Sequence, residues 1–193
     1  MANRNTQGFG LVPAGTLGQT PATSGTGKYK IDAGYATTIF HGGAVSSTAG
    51  YIVEGQGTAD NPMIGVLNGI FYNAATTLKP TFSNHYVQVT PANSEDIDAF
   101  VFDNPQQQYV VATDDAVAQA GYLETYDMNA SAGSTTTGKS SSTLDIGDTS
   151  ADAASFRLLR SAEDPENDEN AANRSVVVCQ NLNQYLTNAT TWQ

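Results

Sequence analysis

The chain has 193 residues, of which 39% are apolar and 14% charged, and its formal net charge is −11. A surface with so few cations repels nucleic-acid phosphates and anionic membranes, and the longest apolar runs fall far short of the roughly 20 residues that a bilayer-spanning helix needs. We therefore expect one domain that binds neither nucleic acid nor membrane, with a surface built mostly from Thr, Ser, Asn, Gln and Gly.

Residues 1–30 are rich in glycine and threonine, and their few apolar residues follow neither a helical nor a strand period. A segment of this composition becomes ordered only against another surface. We therefore predict an extended N-terminal arm over residues 1–30 that contacts a neighbouring subunit through Phe9, Leu11, Val12 and Leu17. A simple flexible terminus is the alternative interpretation.

The next part of the chain, residues 31–186, has the punctuation of an all-β domain, because short β-branched and aromatic runs alternate with Gly, Pro and Asn/Asp clusters. The fold predicted for it is a single antiparallel β-barrel or β-sandwich with long loops. A tail at residues 187–193 carries Trp192, a second candidate contact. The predicted strands are 36–45, 51–54, 64–72, 86–90, 156–160 and 175–181.

Two further elements are predicted near the middle of the chain. The run from Ala99 to Phe102 and the run from Gln108 to Thr113 flank Asn104-Pro105, which predicts a hairpin-like pair of strands. One helix of about two turns is predicted to begin at Asp114 or Asp115, which can cap free amides, and to end at Gly121. The stretch from 129 to 142 contains small and hydroxyl residues and is predicted to be an exposed loop.

Residues that commonly carry chemistry are scattered in this sequence. Cys179 follows three valines, which indicates a buried structural thiol. His41 and His85 are far apart and lack the spacing of a metal site, and no Gly-x-Ser-x-Gly motif marks a hydrolase nucleophile. The acidic runs 163–170 and 145–148 do not have the ligand order of a calcium loop. We expect no enzyme activity, no metal and no cofactor.

One short motif does match a known binding loop. Gly133 to Ser140 reads Gly-x-x-x-x-Gly-Lys-Ser, the pattern of a phosphate-binding loop. Such a loop follows a buried strand and opens a helix, whereas residues 127–132 are not such a strand and Ser140-Ser-Ser-Thr is a poor first helical turn. We interpret the match as chance in a loop rich in Gly, Ser and Thr.

Several segments together resemble a known family. They are residues 100–111 (FVFDNPQQQYVV), 137–145 (TGKSSSTLD), 156–160 (FRLLR) with Asp164-Pro165, and 175–181 (SVVVCQN). In these segments, which cover roughly the C-terminal half, the chain is similar to small head proteins of tailed bacteriophages, marine phages in particular, known as capsid decoration (cement) or virion structural proteins.

The resemblance implies a β-rich protein that binds at joints between major capsid proteins and stabilises the expanded shell. It also implies synthesis in the host cytoplasm, a virion location and a homo-oligomer, commonly a trimer. Because the net charge of −11 would be repelled by packaged DNA, we expect the outer capsid surface.

Two other functions stay open from the sequence. A head-fibre, tail or adhesin subunit that binds host surface glycans would need an aromatic platform, to which Tyr122, Tyr126 and Trp192 are candidates. A small β-fold hydrolase would need a cleft with perturbed carboxylates, and only the abundance of Asp and Glu supports it.

Overall fold

The structure is a computed structural model that describes residues 3, 6–18, 25–147, 154–163, 165–168 and 170–186. The described chain forms thirteen β-strands. In chain order they are β1 (Val12–Thr16), β2 (Gly27–Ile31), β3 (Ala44–Thr48), β4 (Tyr51–Glu54), β5 (Gly65–Asn73), β6 (Pro80–Ser83), β7 (Ile97–Phe102), β8 (Gln107–Ala112), β9 (Thr125–Tyr126), β10 (Met128–Asn129), β11 (Thr143–Leu144), β12 (Phe156–Ser161) and β13 (Ser175–Gln180).

The strands form two main antiparallel sheets. Sheet A has the order β1-β8-β13-β12-β9, and sheet B has the order β2-β7-β5-β3-β4 with β6 paired to β5. Strands β10 and β11 form a separate small pair. Sheet B is curled enough to bring its end strands β2 and β4 close together, but no ladder joins them in the described chain. The predicted all-β fold is therefore confirmed, and of the two expected architectures the sandwich fits.

Two apolar clusters hold the sheets together. The first lies between the sheets, where Val111 and Val178 of sheet A meet Ala44 and Val66 of sheet B. The second lies on the opposite face of sheet B and is built from buried residues including Ile70, Ile97, Ala99 and Val101. Sheet B is thus covered on both faces over part of its area.

The central strand of sheet A explains why this part of the sequence is so apolar. All six residues of β13 are buried, since the strand lies between β8 and β12 and is covered on both faces. Cys179 is 5% exposed, and burial raises the pKa of its thiol. As predicted, it is a small core residue.

Several predicted strands agree closely with the structure, namely 51–54, 64–72, 156–160 and 175–181. Others do not. Within 36–45 only the last two residues belong to a strand, and in 86–90 only Tyr86 takes part in an isolated bridge, to Ile39. The predicted helix is reduced to a 3-10 turn at Gln119–Gly121, because two turns of an isolated helix are too few to be stable without packing.

The helical content of the described chain is limited to that turn and a second 3-10 turn at Ala92–Ser94. No described helix has the length and apolar character that spanning a bilayer requires.

The predicted hairpin of residues 99–113 is corrected by the structure. Strand β7 belongs to sheet B and pairs with β2 and β5, whereas β8 belongs to sheet A and pairs with β1 and β13. The turn between them, in which the N–H of Gln107 donates to the carbonyl of Asn104 at 2.9 Å, carries the chain from one sheet to the other. The Asn-Pro breaker indicates that the chain reverses but not which sheet it enters.

The predicted arm over residues 1–30 also differs from the structure. Strand β1 pairs with β8 and strand β2 pairs with β7, so both segments are part of the sheets. Leu11 is 1% exposed and packs in the cluster between the sheets, while its N–H donates to the carbonyl of Gly42 at 2.8 Å. The segments that pair with Leu11, β1 and β2 lie roughly 30 to 100 residues further along the chain. A local pattern of apolar residues therefore does not reveal them. The predicted tail, 187–193, lies outside the described residues.

The place of Leu11 in the core can be tested by equilibrium unfolding in urea. We expect Leu11→Ala to lower the free energy of unfolding by about 2 to 5 kcal/mol, the range for a truncated core leucine. The matched control is Val12→Ala, which removes a side chain that is 47% exposed on the next residue and should change stability by less than about 0.5 kcal/mol. If both variants changed the free energy of unfolding by the same small amount, residues 6–18 would not be packed in the core and the predicted arm would be retained.

Candidate binding surfaces

The five predicted contact residues do not share one environment. Leu11 is buried in the chain's own core, so it is not available to a partner, and Phe9 is half-buried. Val12 and Leu17 are 47% and 39% exposed; Val12 is the first residue of β1, and Leu17 follows its last residue. Trp192 lies outside the described residues. Of the predicted contact residues that the structure describes, Val12 and Leu17 are thus the two with exposed apolar side chains. We call the surface from Val12 to Leu17 the β1 edge.

The β1 edge is the rim of sheet A. Strand β1 pairs with β8 on one side and is the last strand of the sheet on the other. Its register shifts between Pro13 and Gly15, and Pro13 has no N–H to donate. A proline and a bulge both hinder the addition of another strand. The edge therefore offers Val12 and Leu17 as side-chain contacts more than it offers a backbone ladder.

A second exposed surface lies on sheet B, and we call it the aromatic face, Phe71, Phe82 and Phe100. The ladders set Phe71 opposite Phe82 and Phe71 opposite Asp98. The rings of Phe82 and Phe100 are 6.2 Å apart between centroids and tilted by 39°. Phe82 is 63% exposed, which is unusual for a phenylalanine in a strand.

Glycine makes room for the most exposed of these rings. A Cβ on Gly69 would lie 2.8 Å from Cζ of Phe82 and 2.9 Å from the backbone oxygen of Ser83. The Phe82 ring therefore rests on the backbone of β5, where it covers a glycine that would otherwise expose its peptide groups. Gly69 lies inside sheet B, since β5 pairs with β7, β3 and β6, and the ring of Phe82 covers its open side.

An ion cluster borders the aromatic face. The ammonium groups of Lys28 and Lys30 lie 2.8 and 2.6 Å from the two carboxylate oxygens of Asp98. Burial alone would raise the pKa of Asp98, but the two ammonium groups outweigh it and hold the pKa below its ordinary value. Asp98 is therefore a fixed, ionised acceptor at neutral pH.

A cleft of about 280 Å³ opens beside this cluster. Its lining includes Lys30, Phe71, Asn73, Glu95, Asp96 and Asp98. The hydroxyl of Tyr51 donates to Asp96 at 3.2 Å and orients that carboxylate. We call this the acidic cleft.

Asp98 of the acidic cleft differs from the general acid of a glycosidase. The hydrolase alternative requires an acid whose pKa is raised so that it can protonate a leaving group. The pKa of Asp98 is shifted in the opposite direction, and its oxygens are already held by two lysines. Asp98 is thus suited to accept hydrogen bonds and unsuited to act as a general acid.

The phosphate-loop motif adopts a different structure. The N–H of Gly138 donates to the carbonyl of Ser134 at 2.7 Å, and the N–H of Ser140 donates to that of His41 at 2.9 Å. These amides are committed to a turn and to a bridge with the segment around His41, and β11 follows where a helix would be needed. The segment lacks the cradle of amides that holds phosphate.

The two histidines and the acidic loop make hydrogen bonds within the chain. Nδ1 of His41 is 2.9 Å from the carbonyl of Asn68, and Nδ1 of His85 is 2.8 Å from Oδ1 of Asn84. Among the described residues there is no group of three or more His, Cys, Asp or Glu side chains that could hold a metal ion. In the described part of the acidic loop, Asn167 donates to the carbonyl of Ser175 at 2.8 Å and fixes the loop to β13.

Of the three aromatic residues named from the sequence, Trp192 lies outside the described residues, and Tyr122 and Tyr126 are both withdrawn from the surface. Tyr126 is 2% exposed and donates its hydroxyl to the carbonyl of Gly121 at 3.0 Å. Tyr122 is half-buried, with the guanidinium carbon of Arg174 5.5 Å from its ring centroid. The aromatic face was missed because its residues come together only through the β5–β6–β7 register, and β6 was not predicted.

The ion cluster predicts a specific dependence of stability on pH. Because the pKa of Asp98 is lower in the folded chain, its ionisation stabilises the fold above the ordinary Asp pKa of about 3.9, and this contribution disappears as pH falls through the folded value. We expect Asp98→Asn to lower the free energy of unfolding by about 1 kcal/mol at pH 7.

The comparison is made by urea unfolding at pH 7 and at a series of lower pH values, along which the difference should shrink as Asp98 becomes protonated. The control is Asp60→Asn, a change at an exposed carboxylate. An equal loss at all of these pH values would show that the amide disturbs packing and that the ion cluster contributes little.

Comparison with known proteins gives no relative. No protein-family model matches this chain, and no curated protein or solved structure matches it either. Function is therefore inferred from the β1 edge, the aromatic face and the acidic cleft, together with the resemblance found in the sequence.

Proposed function

We propose that this chain is a capsid decoration protein. It binds the outer surface of a tailed-phage head at joints between major capsid proteins and stabilises the expanded shell. The observation that carries the proposal is the β1 edge, where Val12 and Leu17 are 47% and 39% exposed on a strand that is itself part of the fold. These are two of the residues that the sequence indicated as contacts.

The anchoring of β1 supports this function for an energetic reason. Gln107 donates its side-chain N–H to the carbonyl of Gly15 at 2.7 Å, and the N–H of Leu17 donates to the carbonyl of Gln106 at 2.9 Å. A contact strand held in this way is already ordered, so binding does not require the loss of chain entropy that a free arm would lose. The contact proposed from the structure is therefore an edge that is ordered before binding, whereas the sequence predicted an arm that becomes ordered on contact.

Charge favours the outer surface. The net charge of −11 opposes approach to packaged DNA, whereas apolar contacts at the β1 edge are not weakened by that charge. Each bound subunit adds contact area that exists only in the expanded lattice. Binding therefore stabilises the expanded state by mass action. A homotrimer at three-fold positions is the oligomer that the resemblance implies, and it forms part of the proposal.

The test is co-sedimentation of the full chain with expanded, undecorated heads of the phage that encodes it. We expect saturable binding by the natural chain and at least about tenfold weaker binding by the double variant Val12→Ser/Leu17→Ser, because the apolar contacts are lost. Leu123→Asn is the matched control, since Leu123 is 62% exposed and asparagine tolerates its backbone φ of 69°.

Circular dichroism and thermal unfolding of all three proteins establish that the variants are folded. Equal binding by the natural chain and the double variant would remove the β1 edge from the contact. Failure of the natural chain to bind would reject the decoration function.

A further inference from the structure

We propose that Asn3 is a clasp that holds the loop between β12 and β13, residues 162–174, and that this loop opens when the clasp is lost. The device is conformational and does not depend on the decoration function, because it joins two distant parts of one chain and uses no residue of the β1 edge. Asn3 lies 165 to 169 positions before the loop residues that it binds.

The middle of the β12–β13 loop has little packing of its own. Five of the eight residues from 163 to 170 are Glu or Asp, and like charges so close together repel one another. Pro165, Glu166 and Asn170 are exposed. Apolar burial therefore contributes little here, and the path of the chain depends on hydrogen bonds.

The loop is fixed on either side of its tip. On one side, the side-chain amide of Asn167 donates to the carbonyl of Ser175 at 2.8 Å, and the N–H of Ser175 donates to Oδ1 of Asn167 at 2.9 Å. On the other side, the N–H of Asn173 donates to the carbonyl of Thr113 at 2.9 Å. The tip, which contains residues 168–172, lies between these two fixed points.

The side chain of Asn3 binds this tip with all of its polar groups. Its Nδ2 donates to the carbonyls of Asp168, Ala171 and Ala172 at 3.3, 3.3 and 2.9 Å, and its Oδ1 accepts from the N–H of Asp168. A side-chain amide has two donor hydrogens, so one of them is shared between two carbonyls. Asn3 is 7% exposed, and it thus binds the loop backbone much as a neighbouring strand would.

This contact needs a donor and an acceptor on the same side chain. Aspartate has nearly the shape of asparagine, but at neutral pH it has no hydrogen to donate, and its charge would face three carbonyl oxygens. Alanine would leave the same backbone groups to water. Because the tip lies at the surface, water can reach the released groups. Loss of Asn3 should therefore open the loop locally and leave the sheets folded.

The experiment is amide hydrogen exchange, followed by NMR on the full-length ¹⁵N-labelled chain. We expect the amide of Asp168 to exchange at least about tenfold faster in Asn3→Ala than in the natural chain, and faster still in Asn3→Asp. The amide of Val178, in the central strand of sheet A, should exchange at an unchanged rate in both variants. Circular dichroism establishes that the variants are folded.

The matched control is Asn129→Asp, which adds the same charge at an exposed asparagine whose side chain makes no hydrogen bond within the described chain. It should leave the exchange of Asp168 unchanged. A glutamyl endopeptidase gives a second measurement. Cleavage after the exposed Glu166, identified by mass spectrometry, should be faster in both Asn3 variants than in the natural chain and the control.

Two results would overturn the proposal. One is unchanged exchange of Asp168 and unchanged cleavage after Glu166 in folded Asn3 variants. The other is faster exchange of Asp168 and Val178 together, since the sheet and not the loop would then be opening. Neither result bears on capsid binding, which is measured by sedimentation with variants of the β1 edge.

Discussion

The alternation of strand β7 is the constraint on which the rest of the structure depends. Its residues 97, 99 and 101 point into the cluster inside the curled sheet B, and residues 98, 100 and 102 point to the other face. At Phe102 that other face is covered by the core between the sheets, whereas at Phe100 and Asp98 it is not. The aromatic face is the part of this face that lies beyond the core between the sheets.

The sequence predicts those strands whose burial makes them uniformly apolar or regularly alternating. Strand β13 is apolar on both faces, and β5 combines β-branched and aromatic residues, so both are visible in the residues alone. The identity of a strand's partner is not visible. Residues 99–113 look like one hairpin because the turn between them is local, but the hydrogen bonds that decide the sheet come from distant segments. Strand β1 was missed for the same reason.

The candidate sites were less predictable than the fold. Val12 and Leu17 were named from composition as candidate contacts, yet Leu11, which directly precedes Val12, is a core residue, and only tertiary packing separates these roles. The aromatic face depends on register, because Phe71, Phe82 and Phe100 have no common spacing and β6 is a short edge strand that begins with proline. By contrast, the complete motif at residues 133–140 lacks the strand and helix that would give it a function, and the residues around it already indicated a chance match.

The proline and bulge of β1 have a consequence for the protein before it meets any partner. An edge strand with a free ladder invites identical chains to join in open-ended filaments, and this hazard grows with concentration. Pro13 and the register shift beside it interrupt that ladder while Val12 and Leu17 stay accessible. The same strand therefore hinders edge-to-edge pairing of identical chains and at the same time keeps two apolar side chains exposed.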